Sequence, residues 1–158
     1  MKYIKLTQGK VALVDDEDFE WLNKWKWHFH NKIAERTIWL KDKKTCKKVR
    51  MHNVIINPSL GKVVDHINRN RLDNRKSNLR IATNQENQRN RGVSKSNISG
   101  YKGVHFKKRG NWYGYYVQIK ISYKPIHLGV YRTAKEAALV YNLAAKKYFG
   151  EFAVLNEI

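Results

Sequence analysis

A chain of 158 residues holds one ordinary domain or a few small ones, and with 42% hydrophobic and 12% aromatic residues it is no disordered basic tail. A formal net charge of +19 repels itself in a compact body, and a polyanion such as nucleic acid is the simplest relief. The single cysteine, Cys46, excludes a disulfide framework and a four-cysteine zinc site, and no apolar run reaches the length of a membrane span.

Residues 1–50 alternate apolar and polar positions around turn signals, as in Lys2-Tyr3-Ile4-Lys5-Leu6 and Val11-Ala12-Leu13-Val14, and predict a small β-rich unit. Met1 to Lys10 contains no apolar leader, so a soluble, intracellular protein is expected. The acidic run Asp15, Asp16, Glu17, Asp18 is read as a helix N-terminus, where carboxylates suit the helix dipole. Phe19, Leu22 and Trp25 then share a buried face, and Trp21, Trp27, Phe29 and Trp39 are expected in the core of so small a unit. His28 and His30 receive no role.

Residues 51–91 carry the chemistry. Val63-Val64-Asp65-His66 ends an apolar run with an acid and an imidazole side by side, which predicts a strand, then a polar loop, a short strand over Leu79 to Ala82, and a helix from Thr83. Thr83 and Glu86 have capping-box spacing, which sets Asn87 at the start of that helix with its side chain able to face the strand end. Phosphodiester hydrolysis needs a nucleophilic water, a base and a cation. Asp65 offers a carboxylate to a hard divalent metal and Asn87 a neutral oxygen, and so few protein ligands leave positions for phosphate and water. His66 titrates near neutrality and is the candidate base. Arg69, Arg71, Arg75, Lys76, Arg80, Arg89 and Arg91 are read as holding the phosphate backbone.

Together, Asp65-His66-Ile67-x-x-Asn70, Asp73-Asn74-Arg75-x-x-Asn78-Leu79-Arg80 and Asn87 resemble the HNH, or ββα-metal, endonuclease motif over about residues 50–91. The resemblance implies Asp65 and Asn87 as ligands of one divalent metal and His66 as general base. It implies Asn78 as the central asparagine that fixes the loop and thereby the imidazole. The last position is often histidine in that family, and asparagine there, as in phage and intron-type members, favours Mg2+ or Mn2+ over zinc. His52 sits where such proteins carry a histidine just upstream, and a structural or phosphate contact is preferred for it over a second catalytic role.

Gly92 to Ser99 form a polar linker, and residues 100–158 form a third unit of three short strands and one helix. In Trp112 to Ile121, Tyr115, Val117, Ile119 and Ile121 share one face, while Trp112, Tyr116, Gln118 and Lys120 share the other. Val104 and Phe106 oppose His105 and Lys107 in the first strand; Ile126, Leu128 and Val130 oppose His127 and Tyr131 in the third. Thr133 and Glu136 form a second capping box, and Ala137, Val140, Tyr141, Ala144, Ala145 and Tyr148 follow at helical spacing to cover the apolar face. From Glu86 to Glu136 no acid intervenes, so the opposite face is a track for phosphates.

Tyr101-Lys102-Gly103-Val104, Leu128-Gly129, Thr133-Ala134-Lys135-Glu136-Ala137-Ala138 and Ala153-Val154-Leu155-Asn156 resemble the plant ethylene-response-factor (APETALA-type) DNA-binding domain over nearly all of 100–156. That resemblance implies DNA contacts from Lys102, His105, Lys107, Arg109, Trp112, Gln118, Lys120 and His127, although Lys102 has the wrong parity for the outward face. Base preference does not carry over, because the plant domains hold other residues at several of these positions.

The expectation is therefore an α+β chain in four parts: 1–50, 51–91, 92–99 and 100–158. The two halves together resemble mobile-element endonucleases of phages and introns, which implies a homing-type enzyme that leaves 5′-phosphate and 3′-hydroxyl ends. Double-stranded DNA is the expected partner, with no membrane and no small-molecule cofactor. The protein is expected to act as a monomer or weak dimer in the cytoplasm of a bacterium or phage-infected cell. A catalytically inactive DNA-binding regulator and an RNA-binding structural protein are the rival readings.

Overall fold

The computed structural model describes residues 1–158. The chain is α+β, every sheet in it is antiparallel, and it divides into two units, residues 1–87 and 88–158.

In the first unit, β1 (Lys2–Lys5) pairs with β2 (Val11–Val14) so that Ile4 faces Ala12, and the alternation buries Ile4, Ala12 and Val14 while the lysines stay exposed. Helix α1 (Asp16–Leu22) begins on Asp15 with Asp16, Glu17 and Asp18 in its first turn, as the acidic run predicts. Next come β3 (His28–His30), β4 (Ile33–Leu40) and β5 (Thr45–Arg50), forming one sheet in that order. Helix α2 (Met51–Ile56) follows directly. The core comprises Ile4, Leu6, Ala12, Val14, Leu22, Trp27, Ala34 and Met51, with Val54, Ile55 and Leu72 packed on it. This cluster crosses position 50, so the β-rich segment and the segment after it share one core.

Two tryptophans depart from expectation. Helix α1 ends at Leu22, so helical spacing no longer governs Trp25; the residue is 38% exposed, with the Arg36 guanidinium 3.9 Å from its ring centroid. Trp39 is 57% exposed: β3 pairs only with Ile33 to Glu35, and Trp39 lies beyond that stretch on the exposed face of β4 with Thr37. Trp27 is buried as expected and donates from Nε1 to the Leu22 carbonyl at 2.9 Å, while Phe19, Trp21 and Phe29 lie half-buried against the core.

A two-stranded sheet, β6 (Val63–His66) with β7 (Leu79–Ala82), and helix α3 (Asn84–Arg89) follow. Strand β2 fixes the loop between them: Leu13 N–H donates to the Leu72 carbonyl and Asn74 N–H to the Leu13 carbonyl, each at 2.8 Å.

In the second unit β8 (Val104–Arg109), β9 (Trp112–Ile121) and β10 (Lys124–Tyr131) form a meander with β9 central, covered by α4 (Ala134–Phe149). Both bonds of the Thr133–Glu136 capping box are present. Val104, Val117 and Ile119 pack on Ala137, Ala138, Tyr141 and Ala145. Gly103, at φ +74°, lets α4 approach, since a Cβ there would lie 2.0 Å from the Tyr141 ring. Within 92–99 the side chains of Asn97 and Ser99 bond the carbonyls of Tyr101 and Val104, tying this stretch to the start of β8.

Strand β10 corrects the alternation. His127 pairs with Gln118, but Gly129 pairs with Val117, so Leu128 is the extra residue of a bulge. Parity reverses beyond it. Val130, expected inward, stands opposite Tyr116 on the outer face and is 46% exposed. Tyr131, expected outward, stands opposite Tyr115, packs on the core and donates its hydroxyl to the Leu128 carbonyl.

Candidate active site

Register places Asp65 opposite Arg80 and His66 opposite Leu79. Asp65 is 4% exposed, and Arg80 directs Nε and Nη2 at its Oδ2, each at 2.9 Å. Arg80, which the sequence alone suggests for a phosphate contact, has its charge engaged by Asp65 inside the site.

His66 is 6% exposed, and its Nε2 lies 3.3 Å from Asn74 Oδ1. Asn74 is fully buried and its Nδ2 donates to the Leu72 carbonyl at 3.3 Å, which turns Oδ1 toward the imidazole. An amide oxygen only accepts, so His66 donates from Nε2, and in the neutral ring the lone pair is on Nδ1. Burial, first among the causes, holds the His66 pKa below its ordinary value, and the bond to Asn74 acts the other way. Both effects bear on the form that a general base needs.

Asn78 does not touch the imidazole in these bonds. Its Oδ1 accepts from Asn68 N–H at 2.9 Å and its Nδ2 donates to the Asp73 carbonyl at 2.8 Å, while Ile67 N–H donates to the Asn78 carbonyl at 2.9 Å. Asp73 accepts from Arg75 Nε at 2.8 Å and from Asn68 Nδ2 at 2.8 Å, and the guanidinium holds its carboxyl below the usual range. Asn78 thus fixes the loop, and Asn74 holds the ring. Asn74 lies inside the motif, where no local pattern sets it apart from its polar neighbours.

His52, on α2, is 7% exposed and meets His66 edge to face, with centroids 5.0 Å apart. Its Nδ1 is buried without a hydrogen-bond partner. Burial, reinforced by His66, Arg50 and Arg71, pushes its pKa down to about 3.

Asn87 lies half-buried in the first turn of α3. Thr83 N–H donates to Glu86 Oε2 at 2.7 Å, Glu86 N–H to Thr83 Oγ1 at 3.2 Å, and Asn87 N–H to the Thr83 carbonyl at 3.0 Å, so the expected capping box sets its position. Several cations read as phosphate ligands are ion-paired within the chain: Arg75 with Asp73, and Lys76 with Glu17 and Asp18.

In the second unit, His105, Lys107, Arg109, Trp112, Gln118, Lys120 and His127 share the outer sheet face with Tyr116. His127 stacks on Tyr116 at 4.4 Å, and Lys107 Nζ lies 4.4 Å above the same ring. Lys102 is not among them: it precedes β8, and its Nζ donates to the Arg89 carbonyl. Arg89 is half-buried with its guanidinium over Phe149, and Arg91 is exposed.

A hairpin ending in buried Asp-His, followed by a capped helix that carries an asparagine, is the arrangement of an HNH nuclease module. The family model for HNH endonucleases matches residues 58–89. Over 157 residues the chain is 32% identical to an HNH endonuclease of Acanthamoeba polyphaga mimivirus, a match covering 96% of this chain and 77% of that one. The chain belongs to the HNH endonuclease family. No helix in it is long and apolar enough to cross a membrane.

Proposed function

We propose that the protein is a metal-dependent DNA endonuclease of the homing type, hydrolysing phosphodiester bonds with His66 as general base. The observation that carries this is the buried Asp65-His66 pair, in which Asn74 fixes the tautomer of His66 and Arg80 faces the carboxylate. His66 takes a proton from the attacking water at Nδ1, while Nε2 stays bonded to Asn74. Asn78 keeps the loop that carries Asn74 and Asp73 from shifting.

The donor chemistry fits a hard divalent cation. Asp65 Oδ2 already faces positive charge, from Arg80, and Asn87 adds an amide oxygen. Asp65 and Asn87 would hold such an ion, Mg2+ or Mn2+, which when bound supplies positive charge to the scissile phosphate and its leaving oxygen. No group of three or more His, Cys, Asp or Glu is assembled, which argues against an all-protein zinc cage.

Residues 100–158 are proposed as an ethylene-response-factor-like reader of duplex DNA. Its outer face joins Lys107, Arg109 and Lys120 to the amide of Gln118 and to exposed Trp112, a set suited to phosphates and base edges in a major groove.

Supercoiled plasmid incubated with Mg2+, Mn2+ or EDTA, beside His66→Ala, tests this. Nicking or linearisation that needs metal and disappears in His66→Ala is expected. Cutting that survives His66→Ala unchanged would remove His66 as base. Duplex binding without cutting on a cognate site would favour a regulator.

A further inference from the structure

Beyond the pairs with β3, strands β4 and β5 continue as a two-stranded ribbon from Arg36 to Leu40 and from Thr45 to Val49, closed by Lys41-Asp42-Lys43-Lys44. Five residues of strand extend about 17 Å. One face is half-buried, with Arg36 on Trp25 and with Ile38 and Leu40 along it; the other, Thr37, Trp39, Cys46 and Lys48, is exposed.

Lone exposed tryptophans are common, so Trp39 alone means nothing. Its setting carries more weight. Lys41, Lys43 and Lys44 lie in the turn next to it against one acid, Asp42; on its own face Lys48 leans on Glu35 at 3.5 Å, while Lys47, paired with Ile38, lies on the opposite face. The ribbon's base is also continuous with the active site, because β5 ends at Arg50 and α2 then carries His52 to His66.

We infer that this ribbon is a second DNA-binding element, which lays Trp39 and the tip lysines on duplex DNA next to the nuclease centre. The inference rests on the DNA-nuclease reading above. A two-stranded ribbon fits the width of a major groove, lysines neutralise its phosphate rims, and an exposed indole packs on sugar or base. It also gives residues 1–50 a task besides sharing the core.

Cys46, the only cysteine, is exposed and paired across from Trp39, so the native protein carries its own reporter. In EDTA, saturating duplex should slow maleimide labelling of Cys46 several-fold. Lys41→Ser/Lys43→Ser/Lys44→Ser should lose that protection, and the slope of log affinity against log salt should fall by about 0.9 per phosphate contact removed. A control, Lys5→Ser/Lys10→Ser/Lys62→Ser, should keep both. Unchanged labelling while a mobility shift shows bound duplex overturns the inference, as does protection by single-stranded RNA alone. Plasmid cutting is scored separately. Cutting with Cys46 unprotected sinks the ribbon and spares the nuclease; protection without cutting does the reverse.

Discussion

Arg80 faces Asp65 across the β6–β7 pair and places two guanidinium nitrogens 2.9 Å from one carboxylate oxygen. With Asp65 4% exposed, Arg80→Met takes this cation from a carboxylate that stays buried, which costs about 3 kcal/mol in EDTA. If the same carboxylate binds a divalent ion, Mn2+ should restore more stability to Arg80→Met than to the parent. Asp65→Asn/Arg80→Met should be less destabilised than Arg80→Met. Denaturant unfolding with and without Mn2+ measures both, and equal metal-induced shifts in parent and variant would show that Asp65 holds no metal.

Asn74 should matter for rate through His66 alone. Asn74→Ala removes the acceptor at Nε2, freeing the ring to change tautomer, and should lower turnover about 10- to 100-fold. Asn74→Asp keeps an acceptor and adds a negative charge that favours the protonated imidazole. Turnover should partly recover, with its acid limb moved to higher pH. Full activity in Asn74→Ala, or an unmoved acid limb in Asn74→Asp, would leave Asn74 as packing only.

The local framework of the site was legible because local rules fix it. An apolar run ending in Asp65-His66 makes β6, and Thr83 with Glu86 starts α3. Contacts between residues distant in sequence were not legible. Lys76 looked like a phosphate ligand, yet it pairs with Glu17 and Asp18 on α1, and nothing in the sequence near Lys76 announces those partners. Asn74 was one polar residue among many in its loop until Leu13, from β2, fixed its backbone. The β10 bulge left only Gly129 as a signal, at φ +121°. A single extra residue there was enough to reverse every later side chain.

His52 should make stability depend on pH. The unfolded ring protonates near 6.5, but the folded one only near 3, so the unfolded state binds more protons between those values. Its contribution is complete above pH 6.5 and is lost as pH falls toward about 3, at up to about 1.4 kcal/mol per pH unit. His66, shifted the same way, adds to this slope. His52→Leu keeps similar volume and removes the unpartnered Nδ1, so its unfolding free energy should fall less steeply on acidification. Urea unfolding from pH 7 to pH 4.5 compares the two, and parallel curves would mean that His52 is charged when folded.

Val130 and Tyr131 give the bulge a functional test. Val130 stands on the outer face beside Gly114, where a Cβ would come 2.9 Å from Val130 Cγ1 and 3.0 Å from the Trp112 ring. Val130→Glu therefore sets an acid among the groups proposed to meet DNA, without touching the core. It should weaken duplex binding at least tenfold (about 1.4 kcal/mol), while unfolding stays within about 0.5 kcal/mol of the parent. Tyr131→Ala strips a ring from the core and a bond to the Leu128 carbonyl, and should cost about 2 kcal/mol of stability. Without the bulge the roles would exchange, with Val130→Glu unfolding the second unit and Tyr131→Ala affecting binding alone. Fluorescence anisotropy on labelled duplex, paired with denaturant unfolding of the full chain, separates the two patterns.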